Sequence, residues 1–178
     1  MTKCAIRTCR AEFVKRSMTH KCCSPDCAAE YAKQERLKRE AREFREKKLA
    51  IKPRSEWLKE AQAAFNAFIR NRDIALPCIS CGRYHQGSYD AGHYRSVGAA
   101  PALRFHEDNC HRQCVPCNQH KSGNSIEYRI GLVKRIGVDR VAFLEGPHDP
   151  AKYSIEDAKR IKEEYKARLK KLLTERGD

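Results

Sequence analysis

Two Cys-x-x-Cys pairs, Cys78/Cys81 and Cys114/Cys117, are the residues of this sequence whose spacing dictates chemistry most directly. Thiolates at i and i+3 can both point at one ion, and two such pairs supply the four ligands of a closed tetrahedral zinc site. The insert at residues 82–113 is longer than the roughly 15 to 20 residues that separate the pairs of a compact zinc ribbon. That loop has room to build something of its own. It carries Asp90, His93, Asn109 and His111, and the second pair runs directly into Asn118, His120 and Lys121.

A histidine on a β-hairpin, backed by Asn and His on the following helix, is what a ββα-metal (HNH-type) nuclease needs. The histidine there acts as general base on water, and one divalent ion stabilises the leaving oxygen of a phosphodiester. His93 is assigned as the base. Asp90 and His120 are the first choices for holding the ion, with Asn118 as the alternative, and an oxygen-rich, partly open site suits Mg or Mn. Asn109 would orient the base through its carbonyl, as the surroundings of such sites require. Arg95, Arg104 and Lys121 would contact phosphates or steady developing charge. His111 reads as either a metal ligand or a support of the knuckle, and Cys110 is open to the zinc shell. Spacing alone fits equally a zinc-stapled DNA-binding module without catalysis, in which His85, His93, His106, His111 and His120 are polar surface residues.

The elements that must position these groups follow from local pattern. A strand over Ser88–Arg95 would present His93 near its end, Gly98–Pro101 would be a loop, and Leu103–Phe105 suits the second strand. Asn118–Ser122 would start the helix carrying the remaining ligand. Upstream, Pro53 breaks the chain, Ser55 is placed to cap a helix, and Trp57, Leu58, Ala61, Ala64, Phe65, Phe68 and Ile69 recur at helical spacing as core. Downstream, Ile126–Ile136 reads as a helix stopped by Gly137, and Val138–Leu144 as a shorter one. Ser154 caps a final basic helix whose Ile155, Ala158, Ile161, Tyr165, Leu169 and Leu172 form one stripe. That stripe packs back on the Ser55–Arg72 helix or pairs with a second copy, and dimer symmetry would match a two-fold substrate.

Cys4, Cys9, Cys23 and Cys27 make a second candidate zinc set, with Phe13 and Val14 as its small apolar support; spacing does not decide between Cys22 and Cys23. From Cys27 the chain runs without Gly or Pro to Pro53, rich in Glu, Lys, Arg and Ala, which predicts a long solvated helix. The resulting organisation is an N-terminal zinc-binding module at 1–30, a basic helical linker at 31–52, a nuclease-like domain at 53–150 and a C-terminal amphipathic helix at 151–178.

With 178 residues, 40% hydrophobic and 34% charged, the chain holds too little apolar surface for one large core. Small modules need staples, and ten cysteines provide them. The start of the chain has no apolar leader and no stretch approaches a membrane span, so a cytosolic location is expected, where metal ligation is the better reading of Cys-x-x-Cys than disulfides. Thirty-seven Lys and Arg against 23 Asp and Glu give a net charge of +14. Such a field attracts polyanions and points to nucleic acid as partner. The fold class expected is α+β: a small zinc-stapled ββα-metal core of HNH-like, treble-clef type, with flanking helices and an N-terminal zinc module.

The runs CISCG, DAGHYRS, LRFHEDNCHRQCVPCNQHKSGN and YRIGLVKRIG, with CSPDC near the start and KPRSEWLKEAQ before the module, resemble the NinG (Rap) family of lambdoid phages. The resemblance covers nearly the whole chain. It implies a phage recombination endonuclease that nicks branched DNA, such as Holliday junctions and D-loops, with a divalent metal, in the cytoplasm of a bacterial host. One departure from the general HNH pattern stands out. The residue before the base histidine commonly binds the ion, whereas here it is Gly92, so Asp90 must act from two positions further back. A sequence-reading HNH endonuclease is the remaining catalytic alternative.

Overall fold

The structure is a computed structural model that describes residues 1–177. The chain falls into two units, Met1–Lys52 and the remainder from Pro53. In the first, two-residue strands β1 (Thr2–Lys3) and β2 (Glu12–Phe13) pair antiparallel. They lead into a 26-residue helix, α1 (Pro25–Ala50). Its start follows from three adjacent residues. Ser24 Oγ accepts from the Cys27 amide, Pro25 occupies the first turn with a fixed φ, and Asp26 complements the N-terminal dipole. No residue of α1 is buried, and its Arg–Glu pairs four apart, such as Arg36–Glu40 and Arg42–Glu46, lie in solvent. Pairs of that kind are worth only about 0.3–0.5 kcal/mol each. Apolar burial in this unit is confined to Cys4, Ile6 and Cys22, with Cys23, Cys27 and Tyr31 packed alongside.

The second unit is built on α2 (Arg54–Arg72). Its helix begins one residue before the expected cap: Pro53 holds the N-cap position, and no side chain bonds the first-turn amides. Proline supplies the extended φ there, so a serine cap is dispensable. Leu58, Ala61, Phe65, Phe68 and Ile69 of α2 are buried against Ala158, Ile161 and Tyr165 of the last helix, α5 (Ile155–Arg176). The Tyr165 ring meets Phe65 edge-on at 4.9 Å. The C-terminal stripe thus packs back on α2 within one unit. A capping box between Ser154 and Asp157 starts α5 as its sequence predicts.

Between these helices lies the hairpin. Strand β3 (Tyr89–His93) pairs antiparallel with β4 (Cys110–Cys114), in the register Asp90↔Gln113, Gly92↔His111 and His93↔Cys110. The second strand is therefore not Leu103–Phe105. Pro101–Leu103 forms a 3₁₀ turn that buries Leu103 beside Ala100, Tyr128 and Leu132, and Pro101 has no amide to donate to a ladder. Helices α3 (Ser125–Ile136) and α4 (Val138–Glu145) complete this second apolar cluster. Helix α3 sits hard against the hairpin and the first knuckle. Tyr128 Oη donates to the Gly92 carbonyl at 2.7 Å, and a Cβ on Gly131 would overlap the Ile79 carbonyl oxygen. Among the described residues no helix is long and apolar enough to cross a membrane.

Candidate metal centres and the hairpin site

The sulfurs of Cys78, Cys81, Cys114 and Cys117 lie within 4.8 Å of one another, and so do those of Cys4, Cys9, Cys23 and Cys27. A tetrahedron with Zn–S bonds of about 2.3 Å places its sulfurs about 3.8 Å apart. The Cys23–Cys27 and Cys81–Cys114 separations are 3.8 Å and 4.0 Å. Both sets therefore have the donor type, number and spacing that zinc takes. The second choice left open by spacing is resolved: Cys23 joins the N-terminal set, and Cys22 turns into the small apolar cluster beside it.

Backbone amides favour the thiolate at one sulfur of each set. Burial pushes the Cys78 thiol up, but the amides of Cys114, Cys81 and Ser80 outweigh it and draw the group below its ordinary value. The Cys23 amide leads in drawing Cys4 down to about 7. The first knuckle closes through Gly82, whose φ of +65° lets its amide reach the Cys78 carbonyl at 2.9 Å. The second knuckle continues into a π-helical turn, Pro116–His120, rather than directly into α3. Outside the tetrad, His85 Nε2 lies 3.1 Å from Cys81 Sγ, and the Asn124 amide donates to Cys117 Sγ at 3.7 Å.

That π-helical turn delivers Asn118 and Gln119 to Asp90. Both side-chain amides donate to Asp90 Oδ2, each at 2.8 Å. Asp90 and Asn118 are thus brought together beside the second knuckle, with the amide nitrogens of Asn118 and Gln119 turned to the carboxylate. Gln119 completes the cluster. It escaped the sequence reading, although it sits between two residues that were picked. His120 and Lys121 follow at the end of the turn, exposed.

His93 lies elsewhere. Side chains alternate along a strand, so Asp90 and Gly92 project from one face of the hairpin and Ala91 and His93 from the other. His93 Nε2 is 2.9 Å from the Arg104 carbonyl, which fixes that nitrogen as the protonated one; Nδ1 faces Cys110 Sγ at 3.7 Å, and the ring stacks obliquely on Phe65 of α2. Burial pulls its pKa below the ordinary imidazole range, partly opposed by the Arg104 carbonyl. Cys110 is fully buried in the α2/α5 cluster, its thiol pushed far up by burial, and stays outside the zinc set.

Among the described residues the Asn109 side chain makes its hydrogen bonds to the backbone and not to the His93 ring. Its Oδ1 accepts from the Arg95 amide at 2.8 Å, and its Nδ2 donates to the carbonyls of Arg95 and Leu103 at 3.0 and 3.1 Å. It clamps the loop after His93 to the start of β4, so any orienting of the histidine passes through the backbone. Arg104 Nε donates to Gln62 of α2, and Arg95 reaches the carbonyls of Leu144 and Glu145 at the end of α4. His111 is buried against Tyr128, its Nδ1 has no hydrogen-bond partner among the described residues, and burial drives its pKa down to about 3. It is a neutral wall of the fold.

Gly92 also has its reason. A side chain at 92 would overlap the amide oxygen of Gln113, a fully buried residue whose Nε2 donates to Ser80 Oγ and to the Gly123 carbonyl, both at 2.7 Å. The position at which a ligand is expected is filled from the neighbouring strand.

The family model described as Bacteriophage Lambda NinG protein matches residues 1–175. The chain belongs to the NinG family. It is 44% identical to protein ninG of Escherichia phage lambda over 194 residues, covering 99% of this chain and 95% of that protein. The corresponding protein of Salmonella phage P22 is likewise 44% identical, with 99% and 96% covered. Protein ninG of Escherichia phage 933W is 52% identical over 132 residues, covering 74% of this chain and 66% of that one. No solved structure matches. For a NinG chain the two cysteine tetrads and the Asp90–Asn118 pair therefore sit inside a region matched end to end.

Proposed function

We propose that this NinG-family chain is a zinc-stapled, metal-dependent endonuclease that hydrolyses phosphodiesters in branched DNA during phage recombination, with an HNH-like centre of treble-clef type. The observation that carries the reading is the convergence of Asp90 with Asn118 and Gln119 beside the second knuckle. A Mg or Mn ion bound there would supply positive charge to the phosphodiester. Asp90 and Asn118 would hold it, with His120 at the end of the same turn, and Lys121 would meet backbone phosphates. His93, with Nε2 engaged by the Arg104 carbonyl, keeps Nδ1 as its basic nitrogen; that atom faces Cys110 Sγ, so the ring would have to turn outward to act as the general base of this reading. The net charge of +14 supports DNA as partner.

One observation favours a second reading, a zinc-dependent DNA-binding protein without catalysis: Asp90 and His93 leave opposite faces of the hairpin. The deciding experiment is incubation of an end-labelled four-way junction beside a linear duplex of the same sequence. Wild type, Asp90→Ala and His93→Ala are each tested with Mg, with Mn and with neither. Nicking of the junction that needs added metal and falls at least about 100-fold in both variants is expected, the size that general acid–base groups contribute. Junction that is shifted but uncut in every condition leaves the binding protein. Cutting of the duplex at fixed sites indicates a sequence-reading nuclease.

A further inference from the structure

The N-terminal unit contains a cleft of about 670 Å³ between the β2 end, the 14–24 loop and the first turns of α1. Its walls include two aromatic rings, Phe13 and Tyr31, and two cations, Arg16 and Lys21. Among the described residues no carboxylate lines it, and residues 13–25 contain neither Asp nor Glu. The rings are held in place by their neighbours. Phe13 meets His20 edge-on at 4.9 Å, His20 Nδ1 accepts from the Arg16 amide at 3.2 Å, and Lys21 Nζ donates to Tyr31 Oη at 3.1 Å while lying over that ring. Ser24 and Pro25, which open α1, form one end of the same cleft.

An acid-free cleft that alternates aromatic faces with cations beside a zinc-type tetrad has the chemistry that single-stranded nucleic acid uses. Unstacked bases find a flat apolar partner, and the phosphates between them find cations. Duplex DNA offers the cations its phosphates but keeps its bases stacked and out of reach. We infer that this cleft binds unpaired nucleotides of single-stranded DNA, one or two bases lying against Phe13 and Tyr31 and the adjoining phosphates on Arg16 and Lys21. The inference rests on the reading of DNA as partner but not on cleavage. It gives the N-terminal unit a task of its own: engaging the unpaired stretch that distinguishes branched or displaced strands from plain duplex.

The test uses the full chain loaded with zinc and no added Mg or Mn. A short oligonucleotide carrying 5-iododeoxyuridine is irradiated with it, and the adducts are mapped by mass spectrometry. The adducts are expected on peptides that contain Phe13, His20 or Tyr31, and unlabelled single strand should compete at least about tenfold better than duplex. Arg16→Glu and Phe13→Ala should each weaken single-strand binding about tenfold, the scale of losing one base stack or its phosphate partner. Arg39→Glu, a charge reversal of equal size on exposed α1, should change it less than about threefold. Zinc content of each variant confirms that the unit has folded, and Arg16→Glu, on an exposed side chain, keeps the test open if Phe13→Ala does not fold. Adducts confined to other peptides, or equal losses in Arg16→Glu and Arg39→Glu, overturn the cleft. Since no step requires cutting, junction cleavage that persists alongside such a result would sink this inference and leave the nuclease reading standing.

Discussion

His111 is the residue for which burial has the most measurable consequence. Its ring is held against Tyr128 with a folded pKa of about 3, whereas a free histidine titrates near 6.5. Below about pH 6.5 the unfolded chain binds a proton that the folded chain refuses, so this group's contribution is complete above that value and is lost at up to about 1.4 kcal/mol per pH unit as pH falls. Urea unfolding at pH 7.0 and pH 5.5 should therefore show wild type losing about 1 kcal/mol more than His111→Gln; equal losses would mean that His111 is protonated in the fold. The example also marks what a sequence can and cannot say of single residues. Seven of the eight zinc-type cysteines were legible because ligand geometry limits their spacing, whereas the choice of Cys23 over Cys22 needed the fold. The roles of His111, Asn109 and Cys110 were not, because each is decided by what the fold packs on it from α2, α3 or the 95–103 loop. Gln113 left one signal, the glycine opposite: a Gly inside a strand often marks a close approach by another group.

At the scale of elements, two glycines measure how tightly α3 and the hairpin are docked. Gly92 yields its side-chain space to the Gln113 amide, and Gly131 lets α3 approach the Ile79 carbonyl. On helix propensity alone Gly131→Ala should stabilise by about 1 kcal/mol. The overlap with a backbone oxygen, which cannot rotate away, reverses the sign, and a net loss of about 1–3 kcal/mol is expected. Gly92→Ala should cost a similar amount; its obstacle is a side chain, so Gln113→Ala in the same molecule should recover part of the loss, whereas it should recover nothing for Gly131→Ala. Chemical denaturation of the three single and two double variants checks this, and additivity of Gly92→Ala with Gln113→Ala would show that the two positions do not compete for space. Element types were readable from periodicity, as α2, α3, α4 and α5 attest. The second strand was misplaced because Leu103 and Phe105 have strand-like residue types, whereas β4, Cys-His-Arg-Gln-Cys, is a strand by virtue of its partner and the cysteine that anchors it.

Over the whole molecule, the two cysteine tetrads are expected to differ in what depends on them. In Met1–Lys52 the buried apolar residues are Cys4, Ile6 and Cys22, two of them cysteines themselves, and α1 adds only the half-buried Cys27 and Tyr31. A unit with that little core would take its folding energy from a metal bound at its tetrad; a structural zinc supplies about 10–16 kcal/mol in small modules. From Pro53 onward two apolar clusters exist besides the tetrad. Yet Cys114 ends β4, and its amide donates to Cys78 Sγ at 3.3 Å, so this tetrad ties the hairpin to the first knuckle. Zinc analysis should find about two ions per chain in wild type and about one in either Cys9→Ser or Cys114→Ser, if each tetrad closes one tetrahedral site. Trp57, the single tryptophan, stands on α2 and reports the second unit. Its thermal transition should fall clearly in Cys114→Ser, and by much less in Cys9→Ser, whose lost ligand belongs to the other tetrad. Two ions retained in Cys9→Ser would remove the N-terminal site. An unshifted Trp57 transition in Cys114→Ser would instead mean that the α2/α5 cluster holds the hairpin without its staple, and that the second knuckle serves the Asp90–Asn118 turn alone.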